Sequence, residues 1–307
     1  MKIDRDILLE KVTLAMNQTG PGGVWRRGLR YGLTLLTAEA EQLSQAILMK
    51  EAYLSMNAEE LGILSKNRRF AECHSGQRAF VIGNGPSIAR QDISWLEGEV
   101  TFAVNGFWKH SIVEVWEPTY FSLTDKLFYD GSEGSDDFFS SLRLKIQKST
   151  FFAPINGRKI ISERGLLPSE RTHYLALGGT LSKSPLENVD LERVIPDPHT
   201  VLQTNILIAM YMGCNPIVII GADHDWMANV GEDLHFYDGK TVSQQPEASE
   251  NPFKSNYLIM AEYVRALWLG YVKIRAIADQ KGIKIYNATD GGCLDVFPRC
   301  EFSKLRN

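Results

Sequence analysis

Arg78-Ala-Phe-Val-Ile-Gly-Asn-Gly-Pro-Ser87 is the stretch on which the fold of this chain turns. Its apolar run, residues 79–82, reads as a buried strand, and it stops at Gly83-Asn84-Gly85-Pro86-Ser87, a turn too tight for ordinary side chains. Glycine permits positive φ and close backbone approach, and Pro86 suits the first position of a following helix. A strand that turns sharply into a helix N-terminus aims N–H groups above the sheet, a place that favours an anion such as phosphate. Gly83, Asn84, Gly85, Pro86 and Ser87 are therefore candidate ligand-binding residues, with Ser87 adding a hydroxyl and Asn84 an amide that can read a sugar or base. No lysine follows the turn and a third glycine is missing, so it is neither the P-loop nor the dinucleotide fingerprint. A plain βα turn without a ligand has the same outline.

Outward from this turn, strands and helices alternate. Candidate strands lie at 79–83, 100–105, 119–124, 150–153, 172–177, 217–221 and 283–286, and candidate helices at 136–147, 201–212 and 255–281. The pattern predicts an α/β domain over 73–307 with a mostly parallel sheet and helices on both faces. Residues 1–72 have almost no strand signal and form a helical N-terminal segment. Leu8, Leu9, Val12, Leu14 and Ala15 fit one helical face, and helical patterns continue over 24–58 and 58–70. This segment reads either as a cap or dimerisation arm or, through Arg26, Arg27, Arg30 and Trp25, as a peripheral membrane contact.

Composition narrows the function. A chain of 307 residues with 44% hydrophobic and 23% charged residues is an ordinary globular protein, and its net charge of -4 argues against a nucleic-acid partner. Cys73, Cys214, Cys293 and Cys300 have no metal-ligand spacing and read as reduced thiols of a cytoplasmic protein. The charged N-terminus leads to no apolar signal-peptide core, and the apolar region 206–222 is interrupted by Asn215-Pro216.

In parallel sheets ligands sit beyond the carboxyl ends of the strands. Those ends carry Asn84, Asn105 with Gly106, Thr124 with Asp125, Gly221-Ala-Asp-His-Asp-Trp226 and Asn287-Ala-Thr-Asp-Gly-Gly292, with Thr204 and Asn205 opening a helix nearby. Together they describe a wet, hydrogen-bonding cleft. Asp125 suits a sugar, a metal or a helix cap, and Gly221 lets a ligand approach Asp223. Asp223, His224 and Asp225 look like a metal cluster, but adjacent residues rarely all face one ion, so no metal site is assigned. His235 lies in an unusually long connection before the last helix, beside Phe236 and Tyr237, and can act as a general base; His224 is its rival at a strand end.

The Gly-Asn-Gly-Pro-Ser turn, Val104-Asn105 and the helix leading to Ile219-Ile-Gly-Ala-Asp223 resemble the bacterial sialyltransferases of glycosyltransferase family 42. The tail, Ile285-Tyr-Asn-Ala-Thr-Asp-Gly-Gly-Cys-Leu-Asp-Val-Phe297, is similar to the neighbouring Maf flagellin-modifying and MptE-like group. The resemblance covers roughly residues 75–300. It implies a Rossmann-like transferase that uses a nucleotide-activated sugar, CMP-linked and sialic-acid-like, without an essential metal or other cofactor. It places the nucleotide on Asn84 and Asn105, a helix-start hydroxyl at Thr204, and a phosphate-holding tyrosine at Tyr237. The family's catalytic histidine falls where this chain has Pro252-Phe-Lys-Ser-Asn-Tyr257, so His235 is only a positional substitute.

The expected activity is a cytoplasmic glycosyltransferase of surface-polysaccharide or glycoconjugate assembly with a glycan acceptor. His235 is the expected base, with Asp125 and Asp223 orienting sugars. The alternative is an MptE-like pyrophosphokinase moving diphosphate from ATP to a hydroxymethyl group, with Mg²⁺ held by Asp125, Asp223 and Asp225. A nucleotide-sensing scaffold is the non-catalytic rival, and a homo-oligomer is a further expectation.

Overall fold

The computed structural model describes residues 34, 36–129, 133–229, 235–237 and 256–306. Strands β1 (Ala79–Ile82), β2 (Val100–Val104), β3 (Tyr120–Ser122), β4 (Thr150–Pro154), β5 (Thr172–Gly178), β6 (Val194–Pro196), β7 (Ile217–Ile220) and β8 (Ile285–Asn287) form one sheet. Its order is β6-β5-β4-β3-β2-β1-β7-β8, and every pairing is parallel. The chain builds outward from β1 to β6 on one side, then returns to lay β7 against the other side of β1. That reversal is the switch point of a Rossmann-like α/β sheet, where a crevice opens above the strand ends.

The apolar run that marked β1 is buried on both faces, as a central parallel strand must be. Ala79 and Val81 join one core with α5 (Val201–Tyr211) and α6 (Tyr257–Lys281). Phe80 and Ile82 join the other with α3 (Glu133–Lys145) and α4 (Arg158–Arg164). The first ten residues of α5 are all buried, which explains a helix with no charged face, and its three polar side chains, Gln203, Thr204 and Asn205, are buried with the rest.

Three local features differ from the sequence expectation. β6 escapes the pattern because it is a three-residue edge strand ending in Pro196, too short to show a period. The connections from β1 to β3 are 3₁₀ turns, Pro86–Arg90, Ser94–Leu96, Asn105–Lys109 and Ser111–Glu114, instead of crossover α-helices. The helical pattern expected over 24–58 breaks before its end, at 55–57. There Asn57 caps α2 (Ala58–Ser65), its side chain accepting from the Glu60 N–H at 2.9 Å while Glu60 accepts from the Asn57 N–H at 3.0 Å. Helix α1 covers 36–54, and Met49 and Ala52 on it pack against Leu64, Ala176 and Val194. The expected short helix at Leu8–Ala15, the basic Trp25 face and most of the connection between Trp226 and α6 lie outside the described residues.

Candidate functional site

The crevice beside β1 is walled by two strand ends that touch through their backbones. A Cβ on Gly83 would lie 2.3 Å from the Gly221 carbonyl oxygen, and one on Gly221 would lie 2.5 Å from that of Gly83. Gly221 also has φ +66°, so both glycines are required for the strand ends to meet. On Gly85 a Cβ would lie 1.8 Å from Asp223 Oδ2. The glycines thus serve strand-end packing first, with the cleft formed above it.

The same contacts change the reading of the opening turn. Gly83 N–H donates to the Ile220 carbonyl at 2.8 Å and Gly85 N–H to that of Gly221 at 3.0 Å. Ser87 donates its N–H to Asp223 Oδ1 at 3.2 Å and its hydroxyl to Oδ2 at 2.7 Å. Pro86 has no N–H, and the helix it opens is a five-residue 3₁₀ segment. The turn therefore offers no row of free N–H groups for a phosphate. Asp223, expected to orient a sugar, ties the turn to β7. Burial pushes its carboxyl above the usual range, and the Ser87 bonds offset part of that rise. The tail holds Asp223 in turn: Cys293 N–H donates to its carbonyl at 2.6 Å, and the Thr289 hydroxyl accepts from Ala222 N–H at 3.1 Å. The Asn287–Gly292 strand end is thus scaffold for the site.

Two residues of the cleft lining carry buried acceptors without a partner. Gly83, Asn84, Gly85, Asn105, Thr200, Gly221, Asp223, His224, Trp226 and His235 line the cleft. Asn84 donates its amide to the Val104 carbonyl at 3.1 Å, which leaves its Oδ1 buried and without a partner. Asn105 Oδ1 is also buried and unpartnered. Asn105 (φ +43°) and His224 (φ +49°) both hold left-handed backbone, which costs a non-glycine residue roughly 1–3 kcal/mol. Strain at two cleft-lining residues, on the loops after the two strands that flank β1, marks the site as over-determined by its surroundings. The cleft volume is about 90 Å³, too small to enclose a drug-sized ligand whole.

His224 is bound from below. Its Nε2 lies 2.7 Å from the hydroxyl of Tyr271 on α6, and Trp226 and Trp268 pack on its ring. Burial pushes its imidazole down to about 4, so it is neutral near pH 7. His235 closes the cleft from above, stacked on Tyr237 at 5.0 Å. Phe236 N–H donates to the Asn84 carbonyl at 2.9 Å, which places this segment over β1. The Tyr237 ring covers Gly106, its hydroxyl is 3.5 Å from Asn84 Nδ2, and Lys109 Nζ is 4.7 Å from the ring centre.

Pro86, Ser87 and Tyr237 stand beside the cleft lining without joining it, and two further expected site residues, Thr204 and Asp125, fall elsewhere. Thr204 does not open α5: the helix is capped by Thr200, and Thr204 is fully buried with its hydroxyl 3.3 Å from that of Thr124. The helix-start hydroxyl that lines the cleft is Thr200. Asp125 follows β3 into a 3₁₀ turn, where its carbonyl accepts from Phe128 N–H at 3.3 Å, and it is absent from the cleft lining. Its charge acts on Tyr263, whose hydroxyl is pushed up to about 12 by burial first and Asp125 second. Thr200, Lys109 and Tyr271 were missed. Only Thr200 had a sequence signal, as a threonine directly before an apolar helix. Among the described residues no three His, Cys, Asp or Glu side chains gather to hold a metal ion, and no helix is long and apolar enough to cross a membrane.

No protein-family model matches the chain, and no curated protein matches it. Two similar solved structures are of the sialyltransferase CstII from Campylobacter jejuni. One is in complex with the substrate analogue CMP-3FNeuAc, at TM-score 0.46 and 12% identity over 73% of this chain and 86% of that one. The other is in complex with cytidine-5'-monophosphate, at TM-score 0.45 and 13% identity over 73% and 85%.

Proposed function

We propose that the cleft binds a nucleotide-activated sugar and that the chain is a glycosyltransferase, with a CMP-linked donor of the sialic acid type and a glycan acceptor. The observation that carries this reading is the pair of unpartnered carbonyls, Asn84 Oδ1 and Asn105 Oδ1, at the switch point of the sheet. A buried acceptor left unpaired costs about 1–3 kcal/mol, so the site favours a ligand that brings N–H or O–H donors. A nucleoside's amino and hydroxyl groups supply them. A phosphate, which needs donors from the protein, suits the rim near Tyr237 and Lys109 better than the glycine turn.

In this reading the acceptor hydroxyl oxygen attacks the anomeric carbon of the donor. The bond from that carbon to the phosphate oxygen breaks, and the nucleoside monophosphate leaves with the electron pair. His235 takes the hydroxyl proton. His224, neutral and weakly basic, is a poor proton acceptor at neutral pH but a fixed wall of the cleft. Lys109 places a cation beside the departing phosphate. Asp223 acts by holding the turn that carries Asn84. No metal or other cofactor takes part.

The test is a thermal-shift panel of CMP, CDP, UDP, GDP and ATP, each with Mg²⁺ and with EDTA, on the native chain and on Asn84→Ala and Asn105→Ala variants. CMP at about 100 times its Kd adds about 2.7 kcal/mol and raises Tm by a few degrees, in EDTA as in Mg²⁺, and either substitution diminishes the shift. Stabilisation by ATP with Mg²⁺ alone would replace this reading with pyrophosphoryl transfer.

A further inference from the structure

Helix α1 has two opposite faces, and among the described residues only one of them has a partner. Gln45, Met49 and Ala52 turn towards the sheet: Met49 and Ala52 join the small core beside β5 and β6, and Gln45 and Met49 abut Gly179. Glu41 on its flank pairs with Lys183 at 2.7 Å. At 100° per residue, Leu36, Ala40, Leu43, Ile47, Lys50 and Leu54 fall on the far side. Their spacing alternates four and three, the seam of a coiled coil. The four large apolar residues in this stripe, Leu36, Leu43, Ile47 and Leu54, are 63%, 62%, 48% and 69% exposed.

We infer that this stripe is a self-association surface and that its occupant is α1 of a second copy of the chain, packed antiparallel about a two-fold axis. Charge selects both the occupant and its direction. An antiparallel pair sets Leu36 opposite the partner's Leu54, Leu43 opposite the partner's Ile47, and Lys50 over the small partner's Ala40. The same register brings Lys50 beside the partner's Glu39. A parallel pair in register would bury Lys50 against the partner's Lys50, a like-charge contact in the middle of the seam. An anionic lipid surface fits poorly, because Glu39 and Glu51 flank the stripe and both are exposed. A two-fold pair satisfies both stripes at once and closes, as an isologous contact does.

Sedimentation velocity on the full chain tests this directly. The native chain runs at twice its monomer mass, and the Leu43→Asp/Ile47→Asp variant runs as a folded monomer with an unchanged near-ultraviolet circular dichroism spectrum, since both positions are exposed. Lys50→Glu weakens the dimer and Glu39→Lys added to it restores it. Under mild oxidation Leu36→Cys/Leu54→Cys forms a covalent dimer, whereas neither single substitution does. A native monomer at tens of micromolar, a dimer that survives the double aspartate substitution, or cross-linking of Leu36→Cys alone overturns the proposal. So does a monomer that instead floats with anionic vesicles through this face.

Discussion

His224→Asn should flatten the dependence of stability on pH between 7.5 and 4.5. His224 lies in left-handed backbone at φ +49°, which Asn tolerates better than most residues, and Asn does not titrate. Burial lowers the native imidazole from 6.5 to about 4. A histidine held neutral in the fold contributes stability that is complete above its unfolded pKa and is lost as pH falls towards the native value. A drop of about 2.5 units corresponds to about 3 kcal/mol in all, of which about 2.5 kcal/mol is gone by pH 4.5. His173 is also lowered to about 4 by burial, so the native curve alone does not isolate His224. The difference between curves does, because the lost Tyr271 bond and ring contacts weigh on the variant nearly equally at both pH values. Urea unfolding of native and variant protein at pH 7.5 and 4.5 gives four stabilities. The gap between the two proteins should shrink by about 2–3 kcal/mol on acidification. A gap that stays constant, or an NMR titration of His224 near 6.5, would refute the burial argument and reopen His224 as the base.

The other predictions concern the site's parts. Gly85→Ala drives a Cβ onto Asp223 Oδ2 and breaks its two bonds to Ser87; chemical denaturation should show a loss of about 3–5 kcal/mol, smaller when Asp223→Ala is also present. An undiminished loss in the double variant would place the clash on the Gly221 backbone. Thr204→Val should cost about 1 kcal/mol of stability and leave nucleotide affinity alone, whereas Thr200→Val removes a cap and weakens binding as well. Calorimetric titration of CMP against both variants separates the two roles. His235→Ala should slow sugar transfer by about 100-fold or more with nucleotide affinity nearly unchanged, and near-normal turnover would remove His235 from the mechanism.

Much of the frame is legible in the residues themselves. The runs at 79–82 and 217–220 are apolar at every position, and 100–104 at all but Thr101, because central parallel strands are buried on both faces, so each is visible without its neighbours. Alternation with helical runs then implies a parallel sheet, and the polar residues after each strand imply the cleft. Which of those residues line it depended on strand order. Asn84, Asn105 and Gly221 meet because β1 lies between β2 and β7, while Asp125 follows β3, one strand farther away. The role of the glycine turn was likewise decided in three dimensions. Its N–H groups look free in a linear chain, and the carbonyl of Gly221 and the carboxylate of Asp223, more than a hundred residues away, engage them. Local periodicity and turn chemistry are written in neighbouring residues, but a hydrogen bond takes whichever partner the fold delivers, and that depends on the packing of the whole sheet.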